Sequence, residues 1–412
     1  MRFEMPLKGR DWDTLRQEMR SRRESDVKWR DGKTAVYTYH TGEDEIDRVQ
    51  KEAYNEFMSE NGLGPLAFPS IAQMESEIVS MGLSLLHAPE GAMGNVTSGG
   101  TDSITMAIKT ARDYARATGK LKGPGNIVAP WSAHPAFDKA AQLMDLEVRR
   151  IPCKDLLADV EKMAEAIDEN TIMIMGSAPC YPYGLIDPIE DLGKLAEDRG
   201  VWMHVDACVG GYFAPFARMN GEDIPPFDFE VPGVMSMSAD LHKLGYAPKG
   251  ASTVFFRTEE LHSHMICHFE NWPGGKMVTP TLAGTRPGGS ISGAWGVMNF
   301  LGVEGYRKRQ GLICDTRKFM EAELKSLGFE ILGEPKLCIL AFAHPDYDSF
   351  MILGKLMERG WITAVSTEPR ALHMLISPIH AKAKDQYLSD LKEVMAEIDA
   401  GQLGQVAEGR YS

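Results

Sequence analysis

The chain has 412 residues, of which 43% are hydrophobic and 25% are charged, so it can bury a large core and is long enough for two or three domains. Its 44 basic and 58 acidic residues give a formal net charge of −14, which argues against nucleic acid or an anionic membrane as a partner. The sequence has no apolar run of transmembrane length, and its charged N-terminus lacks the apolar segment of a signal peptide. We therefore expect a soluble, cytoplasmic protein without a stable membrane anchor.

The predicted elements divide the chain into three parts. Residues 1–60 form a polar N-terminal arm with one helical pattern at 44–59, residues 61–302 form a large domain, and residues 303–412 form a small one. In the large domain short apolar runs alternate with longer amphipathic ones, which predicts a parallel, doubly wound sheet covered on both faces. Its predicted strands are 126–130, 171–176, 201–206, 234–238 and 252–256, and its predicted helices are 101–118, 154–167 and 189–199.

The last part of the chain has a different pattern. It begins with a long amphipathic helix predicted at 304–327. The further predicted strands are 337–343, 361–365 and 371–377, and the further predicted helices are 346–359 and 382–399. This mixture indicates a C-terminal α+β domain attached to the large one.

A glycine-rich segment, 96–103 (VTSGGTDS), runs into a predicted helix. Glycines let the backbone approach a ligand closely, and the unpaired N–H groups at a helix N-terminus attract an anion. Thr101 could both cap the helix and bond a phosphate oxygen. The same segment could also be an ordinary capped turn, so by itself it does not decide between the two.

Asp206 ends one apolar predicted strand, and Lys243 follows another. Ligands of open α/β sheets bind beyond the carboxyl ends of the strands, so both residues could lie at one site. An aspartate in this position can equally cap the next helix. A lysine at such a site can be desolvated, which lowers its pKa and makes it able to form a Schiff base.

His134 follows the predicted strand 126–130 and could lie flat against an aromatic ring, or could be an ordinary surface or core histidine. The combination of these features is more specific than any one of them. Pyridoxal 5'-phosphate needs helix N–H groups for its phosphate, a carboxylate for its pyridine nitrogen and a lysine for its aldehyde. The sequence therefore predicts pyridoxal 5'-phosphate as the cofactor.

The sequence resembles the sphingosine-1-phosphate lyase family, in the group II decarboxylase branch of fold-type-I pyridoxal phosphate enzymes. The resemblance covers roughly residues 26–400. Its matching stretches are 96–103, 132–139, 182–188, 204–211, 236–249 and 280–289, with weaker similarity at 26–30 and 68–69. It implies an aspartate-aminotransferase-like α/β fold, with a mostly parallel seven-stranded sheet in the large domain and a small C-terminal α+β domain. It also implies a homodimer with shared active sites.

The resemblance implies a role for each matching residue. Lys243 would bond to the cofactor aldehyde and later return a proton, Asp206 would pair with the pyridine nitrogen, and His134 would stack on the ring. The implied contacts of the cofactor phosphate are Gly100, Thr101 and His242, joined by Gly284 and Thr285 from the partner subunit. The implied substrate contacts are Tyr37, Asn61, Lys249 and Arg286, and Tyr37 and Tyr181 are the candidates for the reacting hydroxyl.

The chain departs from the family in one segment. Many members carry a histidine in the segment that corresponds to 61–69, where this chain has Gly64 at the matching position. One contact with the substrate phosphate or hydroxyl is therefore missing or supplied elsewhere, which leaves the chain-length and headgroup preference open.

Cysteine and histidine patterns do not indicate a metal site. The six cysteines are scattered without a CxxC pair, so we expect packing residues and neither a disulfide framework nor a thiolate zinc site. His264 and His268 are four residues apart, with His262 nearby, and on a helix the first two would share a face. No carboxylate or second cluster accompanies them, so we predict no metal.

The reaction that the resemblance implies is a retro-aldol cleavage. It would split the C2–C3 bond of sphingosine 1-phosphate, or of a related phosphorylated long-chain amino alcohol, into a long-chain aldehyde and phosphoethanolamine. The alternative is α-decarboxylation of glutamate, aspartate or an aromatic amino acid, because both reactions use the same electron sink; the match around Lys249 and 284–289 favours the lyase. A catalytically silent binding protein is a third possibility, and the intact Lys243 argues against it.

Overall fold

The structure is a computed structural model that describes residues 3–402, 404 and 406–409. Its strands are β1 (Met93–Thr97), β2 (Asn126–Pro130), β3 (Glu147–Ile151), β4 (Thr171–Ser177), β5 (Trp202–Asp206), β6 (Val234–Ala239), β7 (Ser252–Phe256), β8 (Cys267–Phe269), β9 (Met277–Thr279), β10 (Glu330–Ile331), β11 (Ile339–Ala343), β12 (Ala364–Thr367) and β13 (Arg370–Leu375). Its α-helices are α1 (Trp12–Arg23), α2 (Asp44–Glu56), α3 (Pro69–Leu85), α4 (Gly100–Ala117), α5 (Ala136–Leu143), α6 (Val160–Ala166), α7 (Ile189–Arg199), α8 (Ala214–Met219), α9 (Glu259–Ser263), α10 (Gly288–Ser326), α11 (Ser349–Glu358) and α12 (His380–Asp399).

The large domain is built on a seven-stranded sheet with the order β1-β7-β6-β5-β4-β2-β3. All neighbouring strands are parallel except β7, which is antiparallel to both β1 and β6. The predicted mostly parallel, seven-stranded sheet is therefore confirmed. The sequence did not indicate β1 or β3 because β1 (MGNVT) is partly polar and only partly buried, and β3 (EVRRI) is a charged edge strand that is only half-buried.

One predicted helix of the large domain is wrong in extent. The helix predicted at 154–167 covers only α6, which begins after Asp159, whose side chain accepts a hydrogen bond from the Lys162 backbone N–H. Upstream, Asp155 and Leu156 have positive φ angles of 51° and 68°, a conformation that a right-handed helix excludes. A tight turn therefore replaces the first turns of the predicted helix.

The small domain contains a four-stranded antiparallel sheet with the order β10-β11-β13-β12. The helix predicted at 304–327 is the second part of the longer α10, which breaks at Gly302, where φ is 54° and ψ is −175°. The strand predicted at 361–365 is shifted to β12, because Ile362 pairs with the N-terminal arm at Thr34 instead of with the sheet.

The N-terminal arm has two α-helices where the sequence indicated one. α2 lies within the predicted 44–59, whereas α1 was not predicted because its sequence is strongly charged and it buries none of its side chains within the chain. Over the described part of the chain, no helix combines the length and the apolar character that crossing a bilayer requires.

Candidate active site

Loops at the carboxyl ends of the parallel strands surround a cavity of about 390 Å³. This is the edge at which open α/β sheets bind their ligands. The cavity is lined by seven of the residues that the sequence predicted, namely Gly100, Thr101, His134, Tyr181, Asp206, His242 and Lys243. The fold therefore gathers in one place residues that are far apart in the chain.

The N-terminus of α4 forms one wall of this cavity. The first backbone N–H groups of a helix have no partner within the helix, so they are available to an anion. A Cβ atom on Gly100 would lie only 2.8 Å from Asp240 Oδ2 and 2.9 Å from Cys208 Sγ. No larger residue fits at Gly100 without displacing these neighbours, which explains the glycine at the start of the helix.

Asp206 ends β5 with its carboxylate buried in the cavity wall. One carboxylate oxygen, Oδ1, accepts hydrogen bonds from the Cys208 backbone N–H at 3.0 Å and from Ser238 Oγ at 3.3 Å. Behind it, His204 contacts Ser238 Oγ at 3.3 Å, and burial lowers the pKa of His204 to about 4. A neutral, buried network therefore fixes the orientation of the Asp206 carboxylate.

Lys243 follows β6 and contacts a carboxylate that the sequence analysis did not single out. Its Nζ lies 3.0 Å from Asp240 Oδ2, and His242 Nε2 lies 3.7 Å from the same oxygen. Burial lowers the pKa of Lys243, but the attraction of Asp240 together with Tyr39, Cys208 and Asp206 outweighs this and holds the pKa well above its usual value. The position of Asp240, three residues before Lys243 at the end of an apolar strand, is the signal that could have identified it.

His134 and Tyr181 lie in the lining of the same cavity. His134 Nδ1 accepts a hydrogen bond from the Ala136 backbone N–H at 3.1 Å. Burial lowers the pKa of His134, and the nearby Asp206 offsets this only in part. The Tyr181 ring packs against the His373 ring at 4.5 Å between centroids. A neutral imidazole and a phenol thus face the cavity.

Comparison with known proteins identifies the family. Residues 3–344 match the pyridoxal-dependent decarboxylase conserved domain. The sphingosine-1-phosphate lyase of Oryza sativa is 39% identical over 419 residues, which cover 100% of this chain and 77% of that protein. The solved sphingosine-1-phosphate lyase of Burkholderia pseudomallei superposes with a TM-score of 0.92 at 36% identity, covering 96% of this chain and 93% of that chain. A probable L-tyrosine/L-aspartate decarboxylase of Methanocella arvoryzae is 34% identical, covering 84% of this chain and 90% of that protein.

The chain belongs to the sphingosine-1-phosphate lyase family of pyridoxal-dependent enzymes. It is therefore a lyase that uses pyridoxal phosphate, and the residues of the cavity fit this cofactor. The α4 N-terminus supplies donors for a phosphate, Asp206 supplies a fixed carboxylate, and Lys243 supplies an amine. Two buried carboxylate oxygens of the lining, Asp102 Oδ1 and Asp240 Oδ1, have no hydrogen-bond partner among the described residues, as expected where a polar group binds.

Arg286 was predicted to contact the substrate, and the structure places it elsewhere. Its guanidinium is buried, pairs with Glu75, and donates hydrogen bonds to the carbonyl oxygens of Val96 at 3.0 Å and Gly62 at 2.9 Å. These contacts tie the loop before α10 to α3 and β1, so Arg286 acts as an internal brace. Nothing in the sequence indicated this pairing, because an arginine in a glycine-rich loop gives no sign of a buried carboxylate more than 200 residues away.

Lys249 lies outside the cavity lining, close to the N-terminal arm. Its Nζ is 3.3 Å from the carbonyl oxygen of His242, 3.4 Å from that of Tyr37, and 4.8 Å from the centre of the Tyr39 ring. Desolvation of the ammonium by the surrounding protein, together with the positive charge of Lys243, lowers the pKa of Lys249 to about 8. Tyr37 is half-exposed and has a positive φ of 60°.

Three further predicted residues do not line the cavity of their own chain. Asn61 turns its side chain back onto the Leu63 backbone N–H at 3.0 Å. Gly284 lies beside the Leu63 side chain, and Thr285 is exposed. A contact of Gly284 or Thr285 with a cofactor therefore requires a second subunit.

The three clustered histidines do not share a helix. His262 contacts Asn95 Oδ1 at 2.7 Å through Nε2, His264 follows the last residue of α9 and packs on Tyr114, and His268 lies in β8. His264 and His268 therefore do not lie on one face of a helix, although they are four residues apart. All six cysteines have unpaired thiols, and one of them, Cys208, belongs to the cavity wall.

Proposed function

We propose that this protein cleaves the C2–C3 bond of sphingosine 1-phosphate, or of a closely related phosphorylated long-chain amino alcohol, to a long-chain aldehyde and phosphoethanolamine. One observation carries the proposal: Lys243, Asp206 and His134 meet in one cavity, in a chain whose whole length is similar to proteins named for this reaction. The cofactor residues alone would serve a decarboxylase equally well.

Pyridoxal phosphate, when bound, supplies an electron-poor ring that accepts the electron pair of the broken bond. The chain's own residues hold the reactants and move protons. Asp206, fixed by its two hydrogen bonds, keeps the pyridine nitrogen protonated. Lys243 is the covalent anchor and afterwards the proton donor to C2. The α4 N-terminus, Thr101 and His242 hold the cofactor phosphate.

The C3 hydroxyl must lose a proton before the bond can break. Tyr181 of the lining and Tyr37 are our candidates to take it as phenolates, because the lowered pKa of His134 makes its imidazole a weaker base and its Nδ1 already accepts the Ala136 backbone N–H. Lys249 is our candidate for the substrate phosphate, and Tyr37, whose carbonyl oxygen lies 3.4 Å from the Lys249 Nζ, and Asn61 are further candidate substrate contacts. Arg286 is withdrawn from this set, because Glu75 and two carbonyl groups engage its guanidinium.

We further propose a homodimer in which Gly284 and Thr285 of each chain complete the phosphate site of the other. The exposure of Thr285 in the single chain supports this arrangement. If it holds, affinity for pyridoxal phosphate falls when the protein is diluted until it dissociates, as followed by sedimentation and cofactor absorbance on the same samples. An affinity that is independent of protein concentration through dissociation would contradict it.

The decisive experiment compares two classes of substrate. Protein reconstituted with pyridoxal phosphate is incubated with sphingosine 1-phosphate or with glutamate, aspartate, tyrosine or tryptophan. Mass spectrometry then measures hexadecenal and phosphoethanolamine, and a separate assay measures carbon dioxide. The blank is Lys243→Ala, and the matched control is Lys194→Ala on the exposed face of α7. Aldehyde that requires Lys243 and not Lys194 supports the lyase, whereas carbon dioxide without aldehyde transfers the assignment to a decarboxylase.

A further inference from the structure

A second cavity, of about 500 Å³, adjoins the cofactor cavity. The two share His134 and Tyr181 in their linings, so these side chains stand at the boundary between them. Most of its wall comes from the loop after β2, the loop after β4 and strand β12 of the small domain, and Asp138 of α5 and Arg150 of β3 add to it. It therefore lies in the cleft between the large and small domains, next to the reacting groups.

The lining of this second cavity is predominantly apolar. Trp131, Pro135, Tyr183, Ala364 and Val365 supply ring and aliphatic surface, and neighbouring serine and threonine residues add hydroxyls without charge. Trp131 lines the cavity and is 53% exposed, so much of its ring is not covered by other side chains. An indole left open beside an active site is surface that a ligand can bury.

The charged groups at this cavity have partners or face water. Arg150 pairs with Asp138 and also donates hydrogen bonds to the carbonyl oxygens of Trp131 at 2.9 Å and Ala133 at 3.0 Å. Glu368 is solvent-exposed at the rim. The guanidinium is therefore not available to a ligand phosphate or carboxylate, and the cavity suits an uncharged, apolar group.

Contacts between the domains hold the two walls together. Tyr183 donates a hydrogen bond to the Glu368 carbonyl oxygen at 2.6 Å, and His373 Nδ1 lies 3.3 Å from the Pro182 carbonyl oxygen. The His373 ring also packs on Tyr181. These links join the loop after β4 to the small-domain sheet, so the cavity is preformed and needs no closure to exist.

We propose that this second cavity binds the aliphatic chain of the substrate, while the amino and hydroxyl carbons lie in the cofactor cavity. The inference rests on the proposed function, because it gives the hydrocarbon part of that substrate a place. The chain passes between His134 and Tyr181 and then runs along Trp131 and Val365. Each methylene buried there contributes about fourfold to binding, from the free energy of transfer of one CH₂ group.

The test is a chain-length series of phosphorylated 2-amino-3-hydroxyalkanes, measured as kcat/KM for cleavage. A matching series without the 3-hydroxyl, which cannot be cleaved, measures binding by calorimetry. Val365→Trp fills the cavity, and Val303→Trp, at a 54% exposed position of α10 outside both cavities, is the bulk-matched control. For the parent and the control we expect kcat/KM and affinity to rise with chain length until the cavity is full. For Val365→Trp we expect kcat/KM of the longest substrates to be at least tenfold lower than in the parent, while that of the shortest substrate is unaffected.

Trp131→Ala provides a second variant, because an exposed side chain can be truncated without loss of folding. It removes apolar wall and should also flatten the dependence on chain length. Cleavage with an unchanged chain-length dependence in both variants would overturn this inference and leave the proposed function standing. Absence of cleavage at every chain length would overturn the proposed function, and the binding series would then show separately whether the cavity takes a hydrocarbon chain.

Discussion

Lys243 Nζ lies 3.0 Å from Asp240 Oδ2, and the Asp240 side chain is almost completely buried. The second oxygen of that carboxylate, Oδ1, has no hydrogen-bond partner among the described residues. The ion pair holds the lysine as an ammonium, and an ammonium cannot attack an aldehyde. Lys243 must therefore lose its proton before it can bond to the cofactor, and the negative charge of Asp240 opposes that loss.

Replacing Asp240 with asparagine should speed cofactor loading at neutral pH. The negative charge of Asp240 raises the pKa of Lys243, so its removal lowers that pKa and increases the neutral fraction of the amine. We expect a several-fold faster limiting rate at saturating pyridoxal phosphate, with the pH midpoint of that rate moved downward. Absorbance of the bound cofactor reports the rate.

The control for this prediction is Asp102→Asn, which removes another buried carboxylate of the same cavity that does not pair with Lys243. Equal acceleration of cofactor loading in both variants would show that the rate depends on the total negative charge of the cavity and not on the ion pair between Asp240 and Lys243. Should Asp240→Asn fail to fold, Asp240→Ser tests the same charge with a smaller side chain.

Lys249 should make substrate binding depend on pH above neutrality. Its pKa is about 8, so its positive charge is lost as the pH rises through that value. We expect KM for the phosphorylated substrate to increase over this range, with kcat much less affected. Lys249→Met should raise KM at all pH values and remove the dependence, and Lys249→Arg should keep a low KM to higher pH. A dependence that persists in Lys249→Met would exclude this lysine as the phosphate contact.

Gly100→Ala should weaken binding of pyridoxal phosphate. The added methyl would lie 2.8 Å from Asp240 Oδ2 and 2.9 Å from Cys208 Sγ, so the start of α4 or the Asp240 side chain must shift. We expect at least a tenfold higher dissociation constant by absorbance titration. Gly99→Ala is the matched control, because its methyl would meet His242 Cε1 at 3.4 Å, an ordinary contact distance. Equal affinity of the two variants would disprove the steric argument.

Arg286→Met should destabilise the protein by about 3–5 kcal/mol, because it leaves the buried carboxylate of Glu75 without its partner. Denaturant unfolding at fixed protein concentration measures this. The comparison is Arg149→Met, which breaks the partly exposed pair with Asp168 and should cost no more than about 1 kcal/mol. A loss of substrate affinity in Arg286→Met with unchanged stability would restore the predicted substrate contact.

Local pattern was sufficient where an element is apolar throughout or strictly periodic. Strands β2 and β7 and helix α7 lie at their predicted bounds, because strands that are buried on both faces are mostly apolar runs and α7 has a regular apolar face. Edge strand β3 was not predicted, because it is partly exposed to water and can therefore accommodate arginine as well as valine. The same sheet explains why His134, Asp206 and Lys243 could be grouped in advance: each lies at or just after the end of a parallel strand, and the carboxyl ends of such strands share one edge.

What only the tertiary structure decided are relationships between distant segments. The brace of Arg286 on Glu75 and the cavity between the loop after β2 and strand β12 each join residues more than 200 positions apart. The sequence by itself determined the fold class, the cofactor and the residues expected to meet at the sheet edge, because repeating patterns and strand ends are local properties. Burial and pairing of a single charge depend on which surfaces the completed fold brings together, and no local pattern encodes that.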